Sequence, residues 1–375
     1  MKKRDRAIRR NSGPEHLDQR NETMAGKQLE HGINILWSLL LVACGGLSTT
    51  LPSASPAPFT GRHRSVLIDT DMAADDWMAI LYLLRRPEIS VEAISVTGVG
   101  MAHCDPGTRN ALGLGTLAGR KPIPIACGRE TPLKGSHTFP ASWRQGADNL
   151  FGLSLPEGSS TDLGQNAVEL LTSVIQASPQ KVVLLALGPL TNVAEALQHT
   201  PSLAAHLEMI YVMGGAIDVP GNIAVSDVGI ENNLAEWNIY ADPYAANVVL
   251  QSGAPVTLVP LDATNHTPVT TSFYERIKNN HSSAEATFVF DVLTEIYDSI
   301  ESGGYYFWDP LAAAILTDES LASFQTMNLA VVEEEGPESG RTQPVKDGAS
   351  VRVAVSADGQ RFEQLFLEAL NSQAP

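Results

Sequence analysis

Basic side chains are scarce in this sequence of 375 residues. Lys and Arg number 25 against 42 Asp and Glu, which gives a formal net charge of −17. Phosphate backbones are bound by clustered Lys and Arg, so this balance argues against a nucleic-acid partner. The three Cys residues show no zinc-ligand spacing. With 43% hydrophobic residues, the chain can still bury the core of one large α/β domain or two small ones.

The N-terminus has the features of an export signal. Eight basic and five acidic side chains lie in residues 1–31, and the apolar stretch 33–43 follows. That stretch has eleven residues, too few for a helix to span a bilayer of about 30 Å. Leu41-Val-Ala-Cys44 resembles the lipobox of bacterial lipoproteins, in which the Cys is lipidated and becomes the mature N-terminus.

We therefore predict three segments. They are a signal segment over 1–44, a flexible tether rich in Ser, Thr, Pro and Gly over 45–64, and a folded domain over 65–375. The expected location is outside the cytoplasm, on a bacterial envelope, with membrane contact only through the lipid anchor. A cytoplasmic location is the alternative. Cys104 and Cys127 could pair in an oxidising compartment, but two unrelated thiols are the favoured interpretation.

From residue 65 onward, short β-branched runs alternate with amphipathic helical stretches. Near-continuous apolar strands followed by helices are typical of an α/β fold, an open and mostly parallel sheet with helices on both faces. Predicted strands are Val66–Thr70, Val91–Val96, Ile123–Cys127, Val182–Leu187, Met209–Met213 and Val256–Leu261. Predicted helices are Asp75–Arg86, Thr108–Ala118, Asn166–Ala177, Thr191–Thr200 and Pro243–Ser252.

The C-terminal part is less regular, with small additional helices and strands. Two strands, Leu329–Glu333 and Val351–Val355, are predicted to be antiparallel, and the helices are Phe288–Ser299, Asp309–Leu316 and Arg361–Leu370. In open parallel sheets, ligands bind beyond the carboxyl ends of the strands. The residues directly after each strand are therefore the candidates for a site.

The strongest local pattern follows the first strand: Asp69-Thr-Asp71-Met-Ala-Ala-Asp75-Asp76. Four carboxylates within eight residues repel one another, and a helix N-terminus offsets this only modestly. A hard divalent cation offsets it far more, and oxygen-only ligands suit Ca²⁺ or Mg²⁺. A capped helix start with solvated acids is the alternative, although one Asp would be enough for that.

Other strand ends carry weaker patterns. Leu187-Gly-Pro-Leu-Thr-Asn192 can turn a backbone carbonyl toward a metal, and Asp309 precedes an apolar helix, where an Asp is most often an N-cap. Asn222, Glu236 and Asn238 follow the strand that ends at Met213 and suit the hydroxyls of a sugar, although loop polarity explains them equally well. Aromatic side chains that could stack on a flat base are Trp143, Tyr305, Tyr306 and Trp308.

Together these segments resemble the inosine–uridine-preferring nucleoside hydrolase family. That family opens with Asp-x-Asp-Pro-Gly-x-Asp-Asp, which residues 69–76 match except at Met72-Ala73. Further matches occur in the family's order at Leu187–Asn192, Met213-Gly-Gly215, Glu236–Pro243 and Asp309. The resemblance covers roughly residues 65–370 and implies a Rossmann-like nucleoside hydrolase fold.

The resemblance is closest to the purine-preferring branch, the inosine–adenosine–guanosine hydrolases. It rests on Met213–Asn222, Phe139–Trp143 and Gly304–Asp309. Pyrimidine-accepting members typically have His where this chain has Trp308. In the purine branch two tryptophans sandwich the base, and Trp143 and Trp308 match those positions.

The resemblance also implies the roles of single residues. Ca²⁺ would be held by Asp71, Asp76, Asp309 and the carbonyl of Leu187. Asp71 would also be the general base that draws a proton from the attacking water. The ribose hydroxyls would be bound by Asp75, Asn222, Glu236 and Asn238. The expected reaction is hydrolysis of the N-glycosidic bond of purine ribonucleosides to free base and ribose, with water activated by Ca²⁺, in a homo-oligomer that is a dimer or tetramer.

Three other interpretations remain. A surface lipoprotein of this family could bind nucleosides without cleaving them, or the enzyme could act on a different N-riboside. A phosphatase of the haloacid-dehalogenase type also has Asp-x-Asp at a strand end, but it leaves the Asp75-Asp76 pair unexplained. The family's Asn or Asp after the second strand also has no clear counterpart in Thr97–Asp105.

Overall fold

A mixed sheet of nine strands forms the centre of the computed structural model, which describes residues 63–158, 165–226 and 229–372. The predicted signal segment lies outside the described residues, as does the tether except for His63 and Arg64. Arg64 belongs to the first strand.

Strands and helices alternate through most of the chain. The strands are β1 (Arg64–Thr70), β2 (Ile89–Val96), β3 (Ile125–Cys127), β4 (Val182–Ala186), β5 (Leu207–Met213), β6 (Val256–Val259), β7 (Ala322–Val331), β8 (Thr342–Pro344) and β9 (Ala349–Ala357). The helices are α1 (Ala74–Leu84), α2 (Cys104–Leu117), α3 (Ala141–Asp148), α4 (Ala167–Ala177), α5 (Thr191–His199), α6 (Trp237–Ala241), α7 (Pro243–Leu250), α8 (Leu261–Thr264), α9 (Thr271–Lys278), α10 (Ala284–Glu295), α11 (Tyr297–Glu301), α12 (Trp308–Thr317) and α13 (Gly359–Asn371).

The order of the strands confirms the predicted α/β fold. Across the sheet it is β3-β2-β1-β4-β5-β6-β9-β7-β8, and the first seven strands run parallel to one another. β7 is antiparallel to both β9 and β8, as predicted for the pair near the C-terminus. The chain moves outward from β1 in one direction and then from β4 in the other. The crevice between the carboxyl ends of β1 and β4 is therefore the expected ligand site.

Helices cover both faces of the sheet, and alternate residues of each strand face opposite cores. In β1, Val66 and Ile68 pack in one apolar cluster and Leu67 in the other. This alternation follows from the two-residue period of a strand. Because all three are fully buried, the strand lacks the polar alternation of a one-sided sheet.

The predicted elements are present, with some different ends. β7 begins at Ala322 rather than at the predicted Leu329. The sequence did not reveal its first half because that half is largely exposed and has no apolar run. α2 begins at Cys104, four residues before the predicted start. Among the described residues, no helix has the length and apolarity to cross a membrane.

The prediction of two unrelated thiols is wrong, because Cys104 and Cys127 form a disulfide. The residues are 23 apart in sequence, but their Cα atoms are 5.5 Å apart. α2 begins at the carboxyl edge of the sheet and returns the chain to the start of β3, which ends at that same edge. The pairing could not be inferred from the sequence, because a complete helix and a strand lie between the two cysteines.

Candidate active site

One cleft of about 820 Å³ lies at the carboxyl edge of the sheet, beyond β1, β4 and β5. Every site residue predicted from the sequence lines it. They are Asp71, Asp75, Asp76, Trp143, Leu187, Asn222, Glu236, Asn238, Trp308 and Asp309. The sheet topology thus brings together residues that span more than two hundred positions of the sequence.

The turn between β1 and α1 is organised around the carboxylate of Asp76. Its Oδ1 accepts hydrogen bonds from the Thr70 hydroxyl and from the Asp71 N–H, the latter at 3.2 Å. Its Oδ2 accepts from the Ala73 N–H at 3.0 Å. Asp76 therefore satisfies N–H groups that the start of a helix leaves without partners, which is one reason for an acid in this first turn.

Met72 replaces the family's Pro in this turn and has an unusual backbone. Its φ of 60° lies in the left-handed region that non-glycine residues rarely adopt, and its side chain is fully buried. The Trp77 indole N–H donates to the Met72 carbonyl at 2.8 Å, which helps to hold the turn. Burial and this hydrogen bond offset the conformational cost of about 1–3 kcal/mol.

The loop after β2 holds Asp71 in place. The Met101 N–H donates to Asp71 Oδ2 at 3.1 Å, and the Ala102 N–H donates to the Asp71 carbonyl at 2.8 Å. A Cβ on Gly100 would lie 2.1 Å from Asp71 Oδ2, and one on Gly188 would lie 2.7 Å from the Asp71 Cβ. Both glycines are therefore required for the backbone to approach this carboxylate. Backbone N–H groups here contact the site where many family members have an Asn or Asp.

Three carboxylates converge closely enough to hold a cation. Oxygens of Asp75, Asp76 and Asp309 lie within 4.8 Å of one another. Asp309 Oδ1 is buried and has no hydrogen-bond partner among the described residues. A buried carboxylate oxygen without a donor is costly, and a hard divalent cation would compensate it. The donor set therefore fits Ca²⁺, although the close group contains Asp75 where the resemblance implies Asp71.

Burial and mutual repulsion raise the pKa values of this cluster. Burial is the main cause at each site, and a neighbouring carboxylate adds to it. The pKa of Asp75 rises to about 7, with Asp71 adding repulsion, and that of Asp76 to about 6, with Asp75 adding repulsion. The pKa values of Asp71 and Asp309 are raised well above the usual range. Without a cation, the cluster therefore binds protons near neutral pH.

A second network, below the cleft, was not predicted from the sequence. Asp69 is fully buried, and its Oδ1 accepts hydrogen bonds from the Ser95 hydroxyl at 2.5 Å and from the Asn192 amide at 2.9 Å. Burial raises the Asp69 pKa to about 7 despite these donors. The Asn192 amide also donates to the Val96 carbonyl, so it links the ends of β1, β2 and β4. The feature of the sequence that could have indicated this network is Asp69, a polar residue near the end of an apolar strand.

Glu236 and Asn238, which flank Trp237 in the sequence and are predicted to bind ribose, are both held by hydrogen bonds to the backbone. Glu236 caps α6: its carboxylate accepts the N–H groups of Asn238 and Ile239, and also that of Gly215. The Asn238 amide donates to the Leu187 carbonyl at 2.8 Å. This carbonyl is the predicted metal ligand, and its second lone pair remains for another partner.

Asn222 is held in the same region by the chain around Trp237. Its Oδ1 accepts the Trp237 N–H at 3.2 Å, and its carbonyl accepts the Ser226 hydroxyl at 2.6 Å. The Ser226 oxygen in turn accepts the Trp237 indole N–H at 3.2 Å. The side-chain NH₂ of Asn222 donates to no other residue in the described part of the chain, so it can donate to a ligand.

Aromatic rings line the rest of the cleft. Trp143 on α3 packs edge-on against Trp237, with ring centroids 5.3 Å apart. Trp308 packs edge-on against Tyr305 at 4.9 Å and lies 5.7 Å from Tyr306. Trp143 and Trp308 are each only partly buried, so both have surface to offer a ligand. Such rings suit a flat heterocycle.

Comparison with known proteins identifies the family. The sequence profile of the inosine-uridine preferring nucleoside hydrolases matches residues 66–364. The chain belongs to this family. The probable uridine nucleosidase 1 of Oryza sativa subsp. japonica is 35% identical over 286 residues, which are 75% of this chain and 85% of that protein.

Two further nucleoside hydrolases show the range of relatives. The pyrimidine-specific ribonucleoside hydrolase RihA of Salmonella arizonae is 35% identical over 318 residues, 81% of this chain and 97% of that protein. The solved structure of the purine-preferring ribonucleoside hydrolase from Gardnerella vaginalis is similar with a TM-score of 0.69 at 27% identity, and the match covers 82% of this chain and 98% of that one.

This nucleoside hydrolase therefore has the fold and the enzyme class that the sequence motifs predicted. Enzymes of the family generally use a metal ion. The site residues came from strand ends and from the family pattern. Asp69, Gly188 and Asn192 lie within the motifs quoted from the sequence but were given no supporting role, and Gly100 was not identified, because buried acids, amides and glycines are common in any sheet protein.

Proposed function

We propose that this enzyme hydrolyses purine ribonucleosides to free base and ribose in a Ca²⁺-dependent reaction. The observation that carries the proposal is the composition of one cleft. Converging carboxylates suited to a cation and the aromatic side chains Trp143 and Trp308 line the same cavity. A volume of about 820 Å³ is within the range that accommodates a small ligand.

Water must be made nucleophilic, and Asp71 is the proposed base. Its Oδ2 accepts the Met101 N–H at 3.1 Å, and its Oδ1 accepts the Ala73 N–H at a longer distance of 3.4 Å. Oδ1 is therefore the oxygen that can receive a proton. Asp76, Asp309 and the Leu187 carbonyl, together with Asp71, are the proposed Ca²⁺ ligands, and Asp75 is close enough to join them. When bound, Ca²⁺ supplies positive charge that lowers the pKa of water and keeps the carboxylates ionised.

The ribose end of the reaction requires stabilisation of positive charge. Cleavage of an N-glycosidic bond passes through a transition state with a cationic sugar ring. Glu236 is buried and held by three backbone N–H groups, so its carboxylate is already oriented before substrate binds. Asp75, Asn222 and Asn238 complete the proposed set of ribose contacts.

The part of the cleft that binds the nucleobase must make the purine a better leaving group. None of the described residues that line the cleft is a histidine. The alternative is protonation of the purine ring itself, and stacking on tryptophan favours the cationic form by cation–π attraction. Trp308 and Trp143 are the proposed stacking residues, and this is the support for a purine preference.

A pyrimidine nucleoside is the competing substrate. It is favoured by the two relatives whose names specify uridine or pyrimidine ribonucleosides. The Trp308 position argues for purines, since the resemblance places His there in pyrimidine-accepting members.

The deciding experiment measures release of free base from inosine, adenosine, guanosine, uridine and cytidine, with and without a chelator. We expect purine release that the chelator abolishes and Ca²⁺ restores. Trp308→Ala should reduce release from inosine more than from a riboside with a chemically activated leaving group. Faster release from uridine than from inosine would overturn the purine assignment, and full activity in the chelator would overturn the metal assignment.

We also propose that the enzyme is exported and lipid-anchored through Cys44, and that it assembles as a dimer or tetramer. The Cys104–Cys127 disulfide supports export, because disulfides persist in oxidising compartments. Cys44→Ala should move the enzyme from the membrane fraction to the soluble fraction. Light scattering of the purified enzyme tests the oligomer, and a monomeric mass would contradict it.

A further inference from the structure

The loop Thr97–His103 forms the wall of the pocket that holds Asp71. It joins β2 to α2 and touches Asp71 through two backbone N–H groups and the bare Cα of Gly100. None of these contacts comes from a side chain of the loop. The position of Asp71 therefore depends on whatever holds the loop backbone itself.

Arg144 on α3 is a side chain that holds this backbone from within the fold. Its Nη2 donates to the Gly98 carbonyl at 2.7 Å and to the Ala102 carbonyl at 3.4 Å, near the two ends of the loop. The residue is buried, and its Nε has no hydrogen-bond partner in the described part of the chain. Burying a cation is energetically costly. Because the Arg144 guanidinium is buried with two loop carbonyls as its hydrogen-bond acceptors, we infer that it has a role beyond packing.

The helix that carries Arg144 is itself attached to the loop. Asp148, at the end of α3, accepts the His103 N–H at 2.8 Å, and its second oxygen lies 2.7 Å from His103 Nδ1. The Asn110 amide on α2 donates to the Ala147 carbonyl at 3.2 Å. α3 and the loop thus form one connected unit, and that unit also contains Trp143.

We propose that Arg144 is a positioning residue for the hydrolysis, which fixes the loop so that its N–H groups aim Asp71 at the attacking water. It also connects that loop to α3, the helix that carries Trp143. The distance between Asp71 and the tryptophan that is proposed to stack on the nucleobase is thereby kept fixed. The guanidinium is more weakly hydrated than a lysine ammonium, so it loses less solvation when it is buried against the two carbonyls. The inference rests on the proposed role of Asp71 as the base.

The test compares Arg144→Ala with Arg85→Ala. Arg85 is equally buried but pairs with Glu285 at 3.0 Å, at the far end of α1 from Asp75 and Asp76. For Arg144→Ala we expect kcat to fall about 100-fold, the loss that a misplacement of about 1 Å can cause, with KM changed only a few-fold. Arg85→Ala should lose thermal stability and keep its kcat.

Two further readouts separate positioning from general damage. Amide hydrogen exchange of the peptide that covers residues 97–103 should accelerate in Arg144→Ala and stay unchanged in Arg85→Ala. Guanidinium ion at millimolar concentration, far below denaturing levels, should restore part of the kcat of Arg144→Ala. Arg144→Lys should have a kcat between those of Arg144→Ala and wild type.

The possible outcomes are distinct. Unchanged exchange of residues 97–103 in Arg144→Ala would overturn the inference, and so would faster exchange with kcat preserved. Equal loss of kcat in both variants would also overturn it, because the effect would then be general. If the wild type releases no base from any of the five nucleosides, the proposed function fails, and hydrogen exchange still decides whether Arg144 fixes the loop.

Discussion

The substitution Asp309→Asn should have opposite effects with and without Ca²⁺. Asn has the same shape as Asp but no charge, and Asp309 shares a buried site with Asp75 and Asp76. In the metal-free enzyme the change removes a repelling carboxylate, and the new amide can donate to the carboxylate of Asp76, which lies in the same cluster. With Ca²⁺ present, the same change removes a proposed ligand. The variant should therefore be more stable than wild type without the metal and less stabilised by it.

A Coulomb estimate gives the size of the gain. Unit charges at the 4.8 Å limit of the cluster repel by about 3.5 kcal/mol at an effective dielectric constant of about 20. A gain of about 3 kcal/mol would raise the melting temperature by about 6 °C.

The gain also has a defined pH dependence. Burial and the neighbouring Asp75 and Asp76 raise the folded-state pKa of Asp309 well above its usual range, so the metal-free wild type loses stability as pH rises above the unfolded-state pKa of this carboxyl. Protonation relieves this, so the metal-free wild type becomes more stable as pH falls from 8 to 5. The advantage of Asp309→Asn over wild type should shrink across the same interval.

Thermal unfolding at pH 8 and pH 5, with chelator or with excess Ca²⁺, measures all four conditions. Asp298→Asn on the exposed face of α11 is the matched control, since it changes the net charge equally outside the cleft. A metal-free variant that is no more stable than wild type at pH 8 would refute the electrostatic argument. A gain of equal size at pH 5 would refute its assignment to ionised carboxylates.

Two further predictions concern the loop and the disulfide. Gly100→Ala should lower kcat in the base-release assay about 100-fold, because the new Cβ would displace the Asp71 carboxylate. Gly115→Ala is the control, and it should keep the wild-type kcat because a Cβ at that position meets no atom within 4 Å. Replacing Cys104 and Cys127 together by Ser should lower the free energy of unfolding by about 3 kcal/mol, as expected for a cross-link that closes 23 residues. Urea unfolding measures the latter, and a change below 1 kcal/mol would contradict it.

The positions of the parallel strands along the chain could be predicted because the relevant patterns are local. An apolar run such as Val182–Leu187 and the amphipathic stretch behind it are readable within twenty residues. The polar residues at strand ends then point to a single edge of the sheet, where the structure does bring them together. The family pattern added the roles of those residues, which no periodicity carries.

What could not be predicted depends on distant contacts. The disulfide was missed because the sequence does not reveal that the start of α2 meets the end of β3. Arg144 reads as an ordinary charge in a short helix, and only the fold shows that it is buried against loop carbonyls. The early half of β7 was missed since its pairing with β9, rather than any apolar run, makes it a strand.

The last strand in sequence, β9, lies inside the sheet rather than at its edge. It is parallel to β6 on one side and antiparallel to β7 on the other. While residues 349–357 are still within the ribosome, β6 has an open edge and β7 with β8 has no sheet to join. Folding of this half therefore waits until residues 349–357 have left the ribosome. The closing contact is also remote in sequence, since Thr257 pairs with Arg352, and non-local pairing of this kind slows folding.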